Sequence, residues 1–133
     1  MKLRMIQIDT FTDKVLGGNP AAVCPLKEWL DVSLMQAIAA ENNLSETAFF
    51  VPSDGGGYEL RWFTPNVEVG LCGHATLAAG EVVLTDIEPD AAAASFETKS
   101  GTLIVSRDGD SLMMDFPSRP AAAHAAPENL LAG

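Results

Sequence analysis

Two short stretches carry the side chains that proton chemistry needs. Asn43-Leu44-Ser45-Glu46-Thr47-Ala48-Phe49 puts a carboxylate in a polar connection, and Gly70-Leu71-Cys72-Gly73-His74-Ala75-Thr76 puts a thiol and an imidazole where a helix opens. A carboxylate moves protons well near neutral pH only where its surroundings disfavour the charged form. Leu44 and the Ala48-Phe49-Phe50 run could supply that apolar wall for Glu46. The alternative is a solvated loop glutamate, since carboxylates are mostly exposed. For His74, the backbone N–H groups of Gly73, His74 and Ala75 can point at an anion, and Gly73 lets a ligand approach the backbone closely. A neutral imidazole there can relay a proton or polarise a carbonyl; the alternative is a histidine hydrogen-bonded within its own turn. Together, Glu46 and His74 form a candidate proton-transfer pair.

Cys72 admits two readings, an acid/base thiol activated by the helix end or a small buried hydrophobe. Cys72-x-His74 offers only two zinc ligands, Cys24 and His124 are far away in sequence, and a closed zinc site needs four, so no metal is expected. Gly17-Gly18-Asn19-Pro20 lacks the Lys-Ser/Thr ending of a phosphate loop, so no nucleotide is expected either.

The elements that must position these groups can be read from periodicity. Leu3, Met5, Ile6 and Ile8 suggest a first strand and residues 21–26 a second, with the Gly17–Pro20 turn cluster between them. Ser33-x-x-Gln36 has the pattern of a capping box, predicting a helix from Ser33 to about Asn42, with Ser45 and Glu46 in the connection beyond. Residues 47–51 and 58–64 read as strands joined by a long turn, rich in aromatic and β-branched residues. Residues 73–84 read as a helix apolar nearly all round, which marks it as buried, with Gly80 its one weak point. Three strands follow, at about 95–98, 102–107 and 112–116, with tight turns between them. From Ser118 the composition shifts to Ala and Pro, and Pro127 begins a short helical pattern.

The chain has 133 residues, 47% of them hydrophobic, enough for one compact domain with a core of its own. Its net charge is −10, and the eight basic residues form no cluster, which argues against nucleic-acid binding. No apolar run approaches the roughly 20 residues of a spanning helix, and no apolar signal core follows Lys2 and Arg4, so a cytoplasmic protein with two free thiols is expected.

Taken in order, the motifs resemble one family. Ile8-Asp9-Thr10-Phe11-Thr12 with Gly17-Gly18-Asn19-Pro20-Ala21-Ala22-Val23 looks like its opening. Asn43-Leu44-Ser45-Glu46-Thr47, Arg61-Trp62-Phe63-Thr64-Pro65 and Cys72-Gly73-His74-Ala75-Thr76 follow. This is the pattern of the phenazine-biosynthesis isomerase (PhzF-like) family, related to diaminopimelate epimerase, and it runs from about residue 5 to residue 117. The resemblance implies an α+β fold with one diaminopimelate-epimerase-like lobe, antiparallel strands curled around a central buried helix. Residues 1–117 would form that N-terminal lobe, and residues 118–133 would begin the connection to an absent second lobe.

The resemblance also implies a cofactor-independent isomerase or epimerase of a small carboxylated metabolite. Glu46 would be the catalytic acid/base and Gly73, His74 and Ser45 substrate contacts, with Cys72 and Asn19 as further candidates. In the family two lobes enclose the site, so the partner expected here is a second lobe or a second copy of the chain, as a homodimer. Gly70 and Glu81 depart from residues that are commonly acidic and basic, respectively, in relatives. The alternative function is a catalytically incomplete domain that binds small anions or self-associates.

Overall fold

A computed structural model describes residues 1–131. Eight strands form one curled sheet: β1 (Ile6–Thr10), β2 (Asn19–Pro25), β3 (Thr47–Pro52), β4 (Tyr58–Phe63), β5 (Glu68–Val69), β6 (Ala93–Thr98), β7 (Gly101–Asp108) and β8 (Ser111–Met114). Their order is β1-β2-β3-β4-β6-β7-β8, with β5 paired to β4. Most pairings are antiparallel, as expected, but β2 runs parallel to β3 and β4 parallel to β6. Each parallel step spans a helical crossover, since parallel neighbours cannot be joined by a tight hairpin. The first crossover is α1 (Val32–Asn42); the second is α2 (Gly73–Val82), extended by a π-helical turn at Val83–Ile87.

The helix α2 is enclosed by the curl of the sheet. Ala75, Ala78, Ala79, Val82 and Val83 share one core with Val23, Phe50, Leu60, Trp62, Phe96 and Val105. Small side chains make this enclosure possible: a Cβ on Gly80 would sit 2.5 Å from Val105 Cγ1. The residue that weakens the helix by propensity is thus what lets β7 approach it. Phe50 meets Tyr58 and Phe96 edge-on at centroid distances of 5.1 and 6.0 Å, and burying each such side chain contributes about 1.5–3 kcal/mol. A smaller core lies beneath α1, where Met35 and Ala39 pack with Phe49 and Phe63. Successive residues of β3 therefore feed opposite faces, Phe49 toward α1 and Phe50 toward α2.

Several element boundaries differ from the sequence expectations. Asp31, not Ser33, caps α1: its carboxylate accepts from the Ser33 N–H at 2.8 Å and the Ser33 hydroxyl at 2.6 Å. Gln36 does not reach back to the cap; its amide donates to the Thr64 carbonyl at 2.9 Å and ties α1 to the end of β4. The first strand starts at Ile6 rather than Leu3, and the last ends at Met114, leaving Phe116 outside the sheet. The two-residue strand β5 was not expected. Near the C-terminus, Glu128–Leu131 forms a short helix, α3, just after Pro127.

Candidate active site at the mouth of the central helix

Glu46 lies in the short connection between α1 and β3. Asn43 adopts the left-handed conformation (φ 51°) that ends α1, and its N–H donates to the Ala39 carbonyl. That turn lets the chain reverse at once into β3. The Glu46 carbonyl accepts from the Ala22 N–H at 3.2 Å, which continues the β2–β3 ladder and fixes the backbone at the carboxylate.

The opposite wall is the start of α2. Cys72 is its extended N-cap residue, and Gly73 and His74 begin the first turn. Inside the core, Trp62 Nε1–H donates to the Thr76 hydroxyl at 3.0 Å, and that hydroxyl donates to the Cys72 carbonyl at 2.6 Å. This relay satisfies three buried polar groups and holds the cap residue against β4.

The two walls bring three side chains together. Glu46 Oε2 lies 3.3 Å from His74 Nε2, the side chains being 20% and 10% exposed. Both atoms are buried, yet neither has a hydrogen-bond partner, because their approach lacks hydrogen-bond alignment. Cys72 Sγ lies 3.4 Å from His74 Nδ1 on the other edge of the ring. Burial, reinforced by the nearby charge of Glu46, pushes the Cys72 thiol up to about 12 despite nearby backbone N–H groups. The thiol is therefore not activated by the helix end; desolvation outweighs the helix N–H groups.

One ligand atom from each of Glu46, Cys72 and His74 lies within 4.8 Å of the others. The expectation of no metal weighed Cys72, His74, Cys24 and His124 but not Glu46, which the fold adds as a third group within reach. These groups offer three ligand atoms, one fewer than a closed zinc site takes.

The other candidates sit differently. Gly73 is at the helix mouth as expected, but the mouth is covered: a Cβ there would meet Phe116 Cζ at 2.4 Å. Phe116, 46% exposed, is the site residue that the sequence did not signal, since it lies beyond the last strand. Thr76 had a legible signal, a hydroxyl four residues after the cap and able to reach its carbonyl. Ser45 is adjacent to Glu46 but exposed. Asn19 opens β2, where its carbonyl takes the Thr10 hydroxyl, and among the described contacts none joins its side chain to the trio. The apolar wall expected from Phe49 and Phe50 is committed to the two cores instead. A groove of about 760 Å³ lies elsewhere, lined by residues such as Asp9, Thr12, Leu77 and Glu81 and by none of the trio.

Comparison with known proteins agrees with this architecture. Residues 8–129 match the PhzC-PhzF family, described as phenazine biosynthesis-like protein. An uncharacterized isomerase of Pseudomonas aeruginosa is 55% identical over 131 residues, covering 98% of this chain and 50% of that protein. The crystal structure of a PhzF-family phenazine biosynthesis protein from Enterococcus faecalis superposes with a TM-score of 0.87 at 43% identity, covering 99% of this chain and 51% of that one. A predicted epimerase of Pseudomonas aeruginosa has a TM-score of 0.70 at 28% identity, covering 84% and 41%. The chain thus spans about half the length of the relatives it matches. An α+β half-barrel curled around α2, matched over nearly its whole length by these proteins, makes this chain a member of the PhzC-PhzF phenazine biosynthesis-like family.

Proposed function

We propose that this chain forms one wall of an isomerase or epimerase site at which Glu46 moves a proton between carbons of a small carboxylated metabolite. The observation that carries this reading is the buried pair, Glu46 Oε2 and His74 Nε2, 3.3 Å apart and both without a hydrogen-bond partner. Unpartnered buried polar groups are costly, and a ligand that accepts from one and gives a proton to the other would satisfy both. Gly73 and His74 would hold the substrate carboxylate or carbonyl, with Ser45 at the rim. The chemistry is ascribed to side chains alone, with no metal or organic cofactor. A second lobe or a second copy of the chain would supply the facing wall.

The test is incorporation of deuterium from heavy water into small amino- and keto-acids, with the chain supplemented by the second half of a full-length relative. Exchange that disappears in Glu46→Gln supports the reading. Exchange that persists in Glu46→Gln removes Glu46 from that role, and no exchange with any such acid removes the isomerase reading.

The Phe116 ring over Gly73 favours a second reading, a catalytically incomplete domain that binds small anions or self-associates. Carboxylate binding that survives Glu46→Gln but is lost in Gly73→Val, without any exchange chemistry, would identify that case.

A further inference from the structure

The imidazole of His74 stands between a thiol and a carboxylate, and only one of its neutral tautomers suits both. Glu46 Oε2 faces Nε2 at 3.3 Å, and Cys72 Sγ faces Nδ1 at 3.4 Å. If Nε2 carried a lone pair, that pair would confront the carboxylate oxygen across a buried gap, which is repulsive; an N–H there is attractive. With its proton on Nε2, the neutral ring presents Nδ1 as an acceptor and needs a donor beside it. The thiol is the group in that position.

We propose that Cys72 is a positioning residue: its S–H donates to His74 Nδ1 and holds the imidazole in the Nε2–H tautomer, with that N–H on the ring edge facing Glu46. The thiol keeps its proton across the physiological range, because burial and Glu46 push it up to about 12. Glu46 is close enough to compete for the same S–H, the three ligand atoms lying within 4.8 Å of one another. A thiol turned to Glu46 would leave Nδ1 without its donor, and the ring would lose its preference. The geometry supports the first arrangement, since the thiol meets Nδ1 within hydrogen-bond geometry at 3.4 Å, on a residue whose carbonyl Thr76 holds at 2.6 Å.

A fixed tautomer gives the site two unlike groups, a carboxylate that can take a proton and an N–H that can hold an oxygen. Their use in turnover rests on the isomerase reading proposed above; the tautomer does not.

The experiment is two-bond ¹H–¹⁵N correlation spectroscopy of the imidazole nitrogens in this chain, labelled at histidine, at mildly alkaline pH. The His124 signals are identified with His124→Gln. The expected result is His74 with Nε2 protonated and Nδ1 bare, averaging toward a mixture in Cys72→Ala and restored in Cys72→Ser, whose hydroxyl can donate. An Nδ1–H tautomer, a doubly protonated ring, or a Cys72→Ala spectrum unchanged from the parent would overturn the proposal. Should Cys72→Ala fail to fold, the S–H stretching band of the parent protein decides, assigned with Cys24→Ala. A band lowered by donation in both the parent and Glu46→Ala supports the proposal, and a free-thiol band in either overturns it. The expected tautomer without exchange in the completed protein would leave this assignment standing and remove the isomerase reading. A different tautomer with exchange present would do the reverse.

Discussion

Burial acts on the two cysteines in the same way although their surroundings differ. Cys24 lies in the smaller core and Cys72 at the helix mouth, and burial pushes each thiol up to about 12. Because the thiolate is the reactive form, both should resist iodoacetamide in the native protein at neutral pH and react when urea unfolds it, a difference that mass spectrometry reads directly. Rapid native labelling of Cys72 would show that the thiol is not held protonated. The sequence favoured an inert, buried thiol at Cys72 over one activated by the helix end, without the means to decide. Deciding between them requires the balance of desolvation against helix N–H groups, which depends on the fold and not on the Cys-Gly-His spacing. Glu46 and His74, by contrast, were legible as a pair, because the two connections that carry them both precede or open buried elements. Phe116 was not legible: nothing in Asp115-Phe116-Pro117 indicates that its ring lies against Gly73.

Two glycines of α2 make different demands on their neighbours. A Cβ on Gly73 would meet the outer atoms of the Phe116 ring, which is half exposed and can move aside. A Cβ on Gly80 would meet Val105 Cγ1 and Cβ at 2.5 and 2.6 Å, in the enclosed core. Overpacking of that kind costs about 1–3 kcal/mol, more than the fraction of a kcal/mol that Val gains over Gly in helix propensity. Urea unfolding should therefore show Gly80→Val destabilised by about 2 kcal/mol and Gly73→Ala changed by less than about 1 kcal/mol. Comparable losses at both positions would mean that Phe116 is as firmly fixed as the core. The β4–β5 pairing offers a second measurement. Arg61 Nε donates to Glu68 Oε1 at 2.8 Å and its Nη2 to Oε2 at 2.8 Å, with Lys99 also 3.1 Å from Oε1, and these cations hold the Glu68 carboxyl down at about 2. A carboxyl depressed in the folded state contributes stability above its ordinary range and loses it as pH falls toward the folded value. The stability gap between the parent protein and Glu68→Gln should thus be full at neutral pH and shrink between about pH 5 and about pH 2 in thermal melts. Much of this element-level structure could be read in advance: α2 from its all-round apolarity and the β3–β4 hairpin from its aromatics. The two parallel pairings, the strand β5 and the Asp31 cap could not, since each depends on where a distant segment lies or on competition between adjacent capping side chains.

Matches that cover nearly all of this chain but only about half of each relative frame the behaviour of the whole molecule. Several large apolar side chains are open to solvent: Phe11, Val15 and Leu16 on the β1–β2 connection are 73%, 90% and 93% exposed. Exposed apolar groups gathered on one connection are a common mark of a surface that another protein surface covers. The chain alone should accordingly self-associate, its light-scattering mass rising with concentration, and the second half of a full-length relative should suppress that rise by forming a complex of one copy of each. Replacing Val15 and Leu16 by Ser should weaken the self-association with little effect on thermal stability, because neither side chain belongs to either core. A mass that stays monomeric at every concentration would mean that these side chains do not drive association. A site completed by a second copy would then be excluded in favour of one completed by a second lobe. A dimer that persists when the second half is added would reverse that choice, because the copy and the lobe would not be competing for the same surface.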